Sequence, residues 1–100
     1  MEKRSPHYAL ERIKAQVAKA GFRAFTRTAL DGGAQMGLLG TEMLATVLSV
    51  ERSMFHKSMT TYQDHRVWQD VYHVPTPMGV AYVKFTLRSD GAIVISFKRL

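Results

Sequence analysis

Tyr82, Lys84 and Lys98, with Gln69 in an earlier segment, are the residues of this chain best suited to chemistry. An ammonium group can clamp a developing anion or, with a depressed pKa, take a proton. A phenol can serve as acid or base, and a carboxamide can donate to an anionic oxygen. These capacities match what RNA needs if its own 2′-hydroxyl is to attack the adjacent phosphorus. That reaction requires a base for the 2′ proton, an acid for the leaving 5′ oxygen, and cations around the phosphorane. The same residues also suit an ordinary solvated sheet face with a Tyr–Lys cross-strand pair, so the pattern alone leaves both readings open.

Other chemistries find less support. The chain has no cysteine, which excludes disulfides, thiolate metal sites and a cysteine nucleophile, and suits a reducing compartment. His7, His56, His65 and His73 are scattered and form no helical metal-binding pair, so no metal is expected. No glycine-rich phosphate loop is present, so no nucleotide cofactor is expected. Gly37-Leu38-Leu39-Gly40 lacks the serine of a nucleophile elbow. Met59, Tyr62 and Trp68 could stack on bases, but core packing is the commoner use of such residues, and Trp68 is expected in the core. His7 is expected in the first turn of the first helix, at the surface.

The 14 Lys and Arg residues exceed the 8 Asp and Glu, giving a net charge of +6. In a chain of 100 residues this favours a polyanionic or acidic partner over a merely soluble surface. The length fits one domain, residues 1–100. The opening Met1-Glu2-Lys3-Arg4-Ser5-Pro6 is charged, and no apolar run is long enough for a signal core or a membrane span. A cytoplasmic protein without a membrane role is therefore expected.

The elements that must position these residues divide the chain into a helical first half and a strand-rich second half, an α+β pattern. Ser5-Pro6 suits a helix start, with Leu10, Ile13, Val17 and Ala20 at helical spacing and Gly21 at the C-terminus. Phe22 to Thr26 reads as a short extended piece. Thr26 or Thr28 can cap a second helix reaching Met36, which Gly32-Gly33 weakens. Thr41 can cap a third, with Leu44, Val47 and Leu48 inward. Strands are expected over Met54 to Thr60, Trp68 to Val74, Val80 to Leu87 and Ala92 to Arg99, with Pro75 to Gly79 a turn.

The last hairpin's register follows from its apolar faces. Ala81, Val83, Phe85 and Leu87 alternate on one arm, and Ile93, Ile95 and Phe97 on the other. Directly paired residues share a face, so odd must pair with odd, or one arm turns its core residues to water. A three-residue loop, Ser89-Asp90-Gly91, satisfies this and puts Gly at the αL position, whereas a two-residue loop does not. Tyr82 then faces Lys98, with Lys84 and Ser96 beside them. If Trp68, Tyr72 and Val74 point inward, Gln69, Val71 and His73 join that face and Asp70 points coreward. The strand at 54–60 stays ambiguous, because Phe55 and Met59 share a face with Lys57.

The stretch Phe55-His56-Lys57-Ser58-Met59-Thr60-Thr61-Tyr62, followed by Asp64-His65 and Trp68-Gln69-Asp70-Val71-Tyr72, resembles the MqsR family of bacterial toxin–antitoxin toxins. So do the opening Met1 to His7, the Val80-x-Tyr82-x-Lys84 segment and the Val94-x-Ser96-Phe97-Lys98 ending. The resemblance covers nearly the whole chain. It implies a RelE-like α+β fold, with N-terminal helices packed on an antiparallel sheet formed mainly by the C-terminal half. It implies a sequence-specific, largely ribosome-independent mRNA interferase that cleaves at short GC-containing sites and arrests growth. It further implies a cognate MqsA-type antitoxin with a zinc-binding domain and a helix-turn-helix domain, the zinc belonging to that partner. Carried over by motif, the active-site residues are Lys57, Gln69, Tyr82 and Lys98, with weaker roles for His7 and Met59. Lys84, beside the Tyr82–Lys98 pair, is a candidate substrate contact. Leu30 to Gly40 and His73 to Gly79 depart from the family pattern, which bears on substrate preference and antitoxin pairing more than on activity. A catalytically inactive RNA- or antitoxin-binding module is the rival reading, and a small DNA-binding protein a more distant one.

Overall fold

The structure, a computed structural model, describes residues 1–100. Three helices are formed by Leu10–Ala20 (α1), Arg27–Gln35 (α2) and Gly40–Leu48 (α3). Five strands, Glu2–Lys3 (β1), Phe55–Thr60 (β2), Trp68–Thr76 (β3), Gly79–Phe85 (β4) and Val94–Arg99 (β5), form one antiparallel sheet in sequence order. This is the α+β architecture expected, with the helices of the first half against a sheet built mainly by the second.

The core lies between the helices and one face of the sheet. Ile13 and Val17 of α1, Ala29 of α2, and Met43 and Val47 of α3 meet Tyr72, Val74, Ala81, Val83, Phe85, Val94 and Phe97. Leu10 and Ala20 pack at its margin. Tyr72 points inward as expected, and its buried hydroxyl has no hydrogen-bond partner. Burial, then the charge of Asp70, pushes that phenol up to about 12, so it stays neutral.

Several boundaries differ from expectation for identifiable reasons. Ser5-Pro6 does not start α1, which begins at Leu10 after Ala9. Instead β1 pairs with β2, Glu2 opposite Met59 and Lys3 opposite Ser58, and the His7 and Tyr8 amides donate to the buried Asp70 carboxylate. Long-range bonds thus outcompete a local helix start. Residues 21–24 form a 3₁₀ turn rather than an extended piece, and only Phe25 makes a bridge, to Val94. Thr26 does cap α2, accepting from the Ala29 amide at 3.1 Å. Thr41 does not cap α3. Leu39 holds that position, and the Glu42 carboxylate accepts its amide at 2.8 Å. That start turns Met43 into the core and leaves Leu48 exposed.

Gly32 and Gly33 lie within α2, and packing explains why. A Cβ on Gly32 would collide with the Phe97 carbonyl of β5, and one on Gly33 with the Met43 thioether. The glycines let α2 lie directly against the β5 backbone, next to Lys98. Helix propensity alone would make Gly32→Ala stabilising by about 1 kcal/mol. The collision reverses the sign, and a loss of about 1–3 kcal/mol in urea unfolding is expected.

Candidate active site

The register of three strand pairs assembles one polar face. Tyr82 pairs with Lys98 and Lys84 with Ser96 across β4 and β5. His73 pairs with Tyr82 and Val71 with Lys84 across β3 and β4. Lys57 pairs with Val71 and Met59 with Gln69 across β2 and β3. Paired residues share a face, so Lys57, Met59, Gln69, Tyr82, Lys84 and Lys98 all lie on the side away from the helices.

Lys57 reaches this face through an irregularity. A bulge between Phe55 and Lys57 lets Phe55 pair with Tyr72 on the core side while Lys57 pairs with Val71 on the other. A second bulge, between Lys84 and Phe85, pairs Phe85 with Val94 rather than Ile95. Val94 therefore fills the core position that alternation assigned to Ile95, which is only partly buried. The Ser89-Asp90-Gly91 turn closes with a Gly91 amide to Arg88 carbonyl bond of 3.0 Å, and Gly91 takes a φ of 86°.

The Tyr82 ring is the centre of the cluster. The Lys98 Nζ stands 5.3 Å and the Lys84 Nζ 5.8 Å from its centroid. Burial raises the Tyr82 pKa, opposed by the positive charge of Lys57. The phenol therefore keeps its proton at neutral pH. Burial lowers the Lys84 pKa, aided by the charges of Lys98 and Lys57, so this ammonium loses its proton more readily than one on an open surface.

Sequence reasoning missed two contributors. Glu2 accepts from Lys57 Nζ at 2.9 Å, and this pairing holds the Glu2 pKa below its usual value. A two-residue strand carries no periodicity to announce it. His56, placed by the first bulge, stacks on His73 with ring centroids 4.3 Å apart, and His73 lies 6.3 Å from Tyr82. Burial, then His56, lowers the His73 pKa.

His7 is not brought to this cluster. Its ring stacks on Trp68 at 5.3 Å, and Trp68 faces away from Gln69 along β3. Lys3 lies 4.2 Å over the same indole and 3.0 Å from His7 Nδ1. Trp68 is thus half-buried beneath this cover rather than in the core.

No three His, Asp or Glu side chains converge as metal ligands, and no helix is long and apolar enough to cross a membrane. Fold and site together define a small, basic α+β protein whose free sheet face carries lysines around a half-buried tyrosine. The chain belongs to the family described as motility quorum-sensing regulator, toxin of MqsA, whose model matches residues 5–99. It is similar to the mRNA interferase toxin MqsR of Escherichia coli (strain K12), with 41% identity over 98 residues, 98% of each chain. The resemblance read from the Phe55–Tyr62 and Trp68–Tyr72 stretches is thereby borne out.

Proposed function

We propose that this chain is the toxin of a toxin–antitoxin pair and acts as a metal-independent endoribonuclease, cutting mRNA at short GC-containing sites in the cytoplasm. One observation carries the proposal: Tyr82 lies directly across from Lys98, with Lys84 beside it, on the one sheet face that no helix covers. The family's description as a toxin and the relative's name as an mRNA interferase support it, as does the net charge of +6.

The roles follow from the groups. The 2′ oxygen attacks phosphorus, a 2′,3′-cyclic phosphate forms, and the P–O5′ bond breaks. The 2′ proton passes to a lysine amine, for which Lys84 is best suited by its lowered pKa. Tyr82, which holds its proton, gives it to the leaving 5′ oxygen. Lys98 and Lys57 stabilise the phosphorane charge and Gln69 donates to its oxygens. Met59 and Lys84 contact substrate, while His7 supports the site from the other side of β3. The cognate partner is an MqsA-type antitoxin, whose zinc-binding and helix-turn-helix domains lie outside this chain.

Labelled single-stranded RNA incubated with the protein and EDTA is expected to be cut, leaving 2′,3′-cyclic phosphate and 5′-hydroxyl ends. Loss of cleavage on chelation, restored by Mg²⁺, would overturn metal independence. RNA retained but never cut would favour the inactive binding module instead.

RNA affinity is expected to fall with salt. Contact with about four phosphates of a single strand gives a slope of about −3 in log K against log salt concentration. A flat response in filter binding would assign the basic surface to a different partner.

A further inference from the structure

We infer that the cleft beside the polar face binds a nucleobase of single-stranded RNA next to the phosphate that is cut, with Tyr62 as its stacking platform. The inference rests on the proposed RNA cleavage and adds a base-recognition site to it. The cleft has a volume of about 710 Å³. Met59, Gln69 and Lys84 contribute from the sheet face, and Tyr62, Gln63 and His65 from the connection between β2 and β3. Because Gln69 and Lys84 belong to both, the cleft opens directly onto the Tyr82–Lys98 cluster.

Tyr62 is fully exposed, at 106% of its reference area, the most exposed large apolar side chain of the protein. Its loop is nevertheless well held. The Thr61 hydroxyl donates to the Asp64 carbonyl at 2.7 Å and accepts from the Asp64 amide at 2.9 Å. The Thr61 amide bonds the Val67 carbonyl at 2.9 Å, and Arg66 pairs with Asp64 at 3.1 Å. A closed, internally bonded loop that presents an unburied phenol in a cleft is a stacking platform waiting for a flat partner.

The lining selects the ligand class. The Tyr62 ring and the Met59 thioether offer apolar faces. The Gln63 and Gln69 carboxamides each carry donors and an acceptor, the complement of a base edge. Lys84 is the only lysine or arginine in the lining, and it stands at the end nearest Tyr82, where the phosphate would lie. The Met1 terminal ammonium, also in the lining, is engaged with the Thr60 hydroxyl at 3.0 Å. A site for phosphate alone would need more cations, and an apolar peptide would leave both carboxamides unpaired.

The test uses the full chain and short single-stranded RNAs carrying a 2′-deoxy nucleotide at the cut position, so binding is read without cleavage. Tyr62→Ala is expected to weaken Kd by roughly ten-fold to a hundred-fold, the range of one lost base stack. Tyr62→Phe and Tyr62→Trp should bind near the parent, since stacking needs the ring and not the hydroxyl. On cleavable RNAs of varied sequence, Tyr62→Ala should raise KM and flatten the preference among bases flanking the cut. Unchanged Kd and preference in Tyr62→Ala would overturn the inference, as would a defect confined to antitoxin binding. Failure of the parent protein to cut any RNA would overturn the proposed function, while the 2′-deoxy binding series would still decide the cleft.

Discussion

Tyr82→Phe and Lys98→Ala are each expected to lower RNA cleavage by about 10²–10⁴, the usual contribution of a positioned proton donor or clamp. Folding should be little altered, because both side chains lie on the face opposite the core and Lys98 is exposed. The phenylalanine variant removes only the phenolic oxygen, so any loss belongs to the proton or hydrogen bond it supplies. If the two side chains act on one transition state, the double variant should be less than multiplicatively worse than the singles. Single-turnover cleavage with matched urea unfolding curves separates the outcomes. Near-normal cleavage by both single variants would leave the Tyr82–Lys98 geometry intact and remove the function assigned to it.

That pairing was legible because alternation is a strong constraint. Four apolar residues on one arm and three on the other are all odd-numbered, so odd must pair with odd, and the three-residue Ser89-Asp90-Gly91 loop then sets Tyr82 opposite Lys98. The same logic placed Gln69 and His73 on the polar face and turned Asp70 inward. It failed where the backbone gains a residue. At Ile95 a bulge exchanges the core position for Val94, and at His56 a bulge separates Phe55 from Lys57, which strict alternation puts on one face. A bulge leaves no mark in a run of apolar and polar letters, so the face of Lys57 came from family resemblance and not from pattern.

The N-terminal segment was misread for a different reason. Ser5-Pro6 is a sound local helix signal, but helix capping is worth about 1 kcal/mol. Here the competing state offers a strand pairing to β2 and a buried carboxylate for two backbone amides. Those partners lie some sixty residues away in sequence, beyond the reach of any local pattern. The Glu2–Lys57 ion pair at the site depends on that same unseen strand.

Asp70→Ala is accordingly expected to be among the most damaging substitutions in the chain, although Asp70 touches no proposed substrate atom. Its carboxylate is buried and accepts from the His7 amide at 3.0 Å, the Tyr8 amide at 2.9 Å and the Ser58 hydroxyl. Each buried donor left without a partner costs about 1–3 kcal/mol. Ser58 keeps a long bond of 3.4 Å to the Gln69 carbonyl, so the two amides dominate and the total loss should be about 3–5 kcal/mol. That is a large share of the 5–15 kcal/mol, roughly, by which such domains are stable. The damage should also have a direction. Release of residues 4–9 frees Tyr8, whose hydroxyl donates to the Trp68 carbonyl at 3.0 Å, and loosens β1, whose Glu2 holds Lys57. Asp70→Asn keeps one acceptor oxygen and should lose about half as much, because its amide group faces donors rather than acceptors. Urea unfolding gives the magnitude, and amide exchange over residues 1–9 gives the location. If Asp70→Ala unfolds within about 1 kcal/mol of the parent, the ordinary range for a point substitution, then Asp70 does not anchor the N-terminal segment, and the path by which Glu2 reaches Lys57 must lie elsewhere.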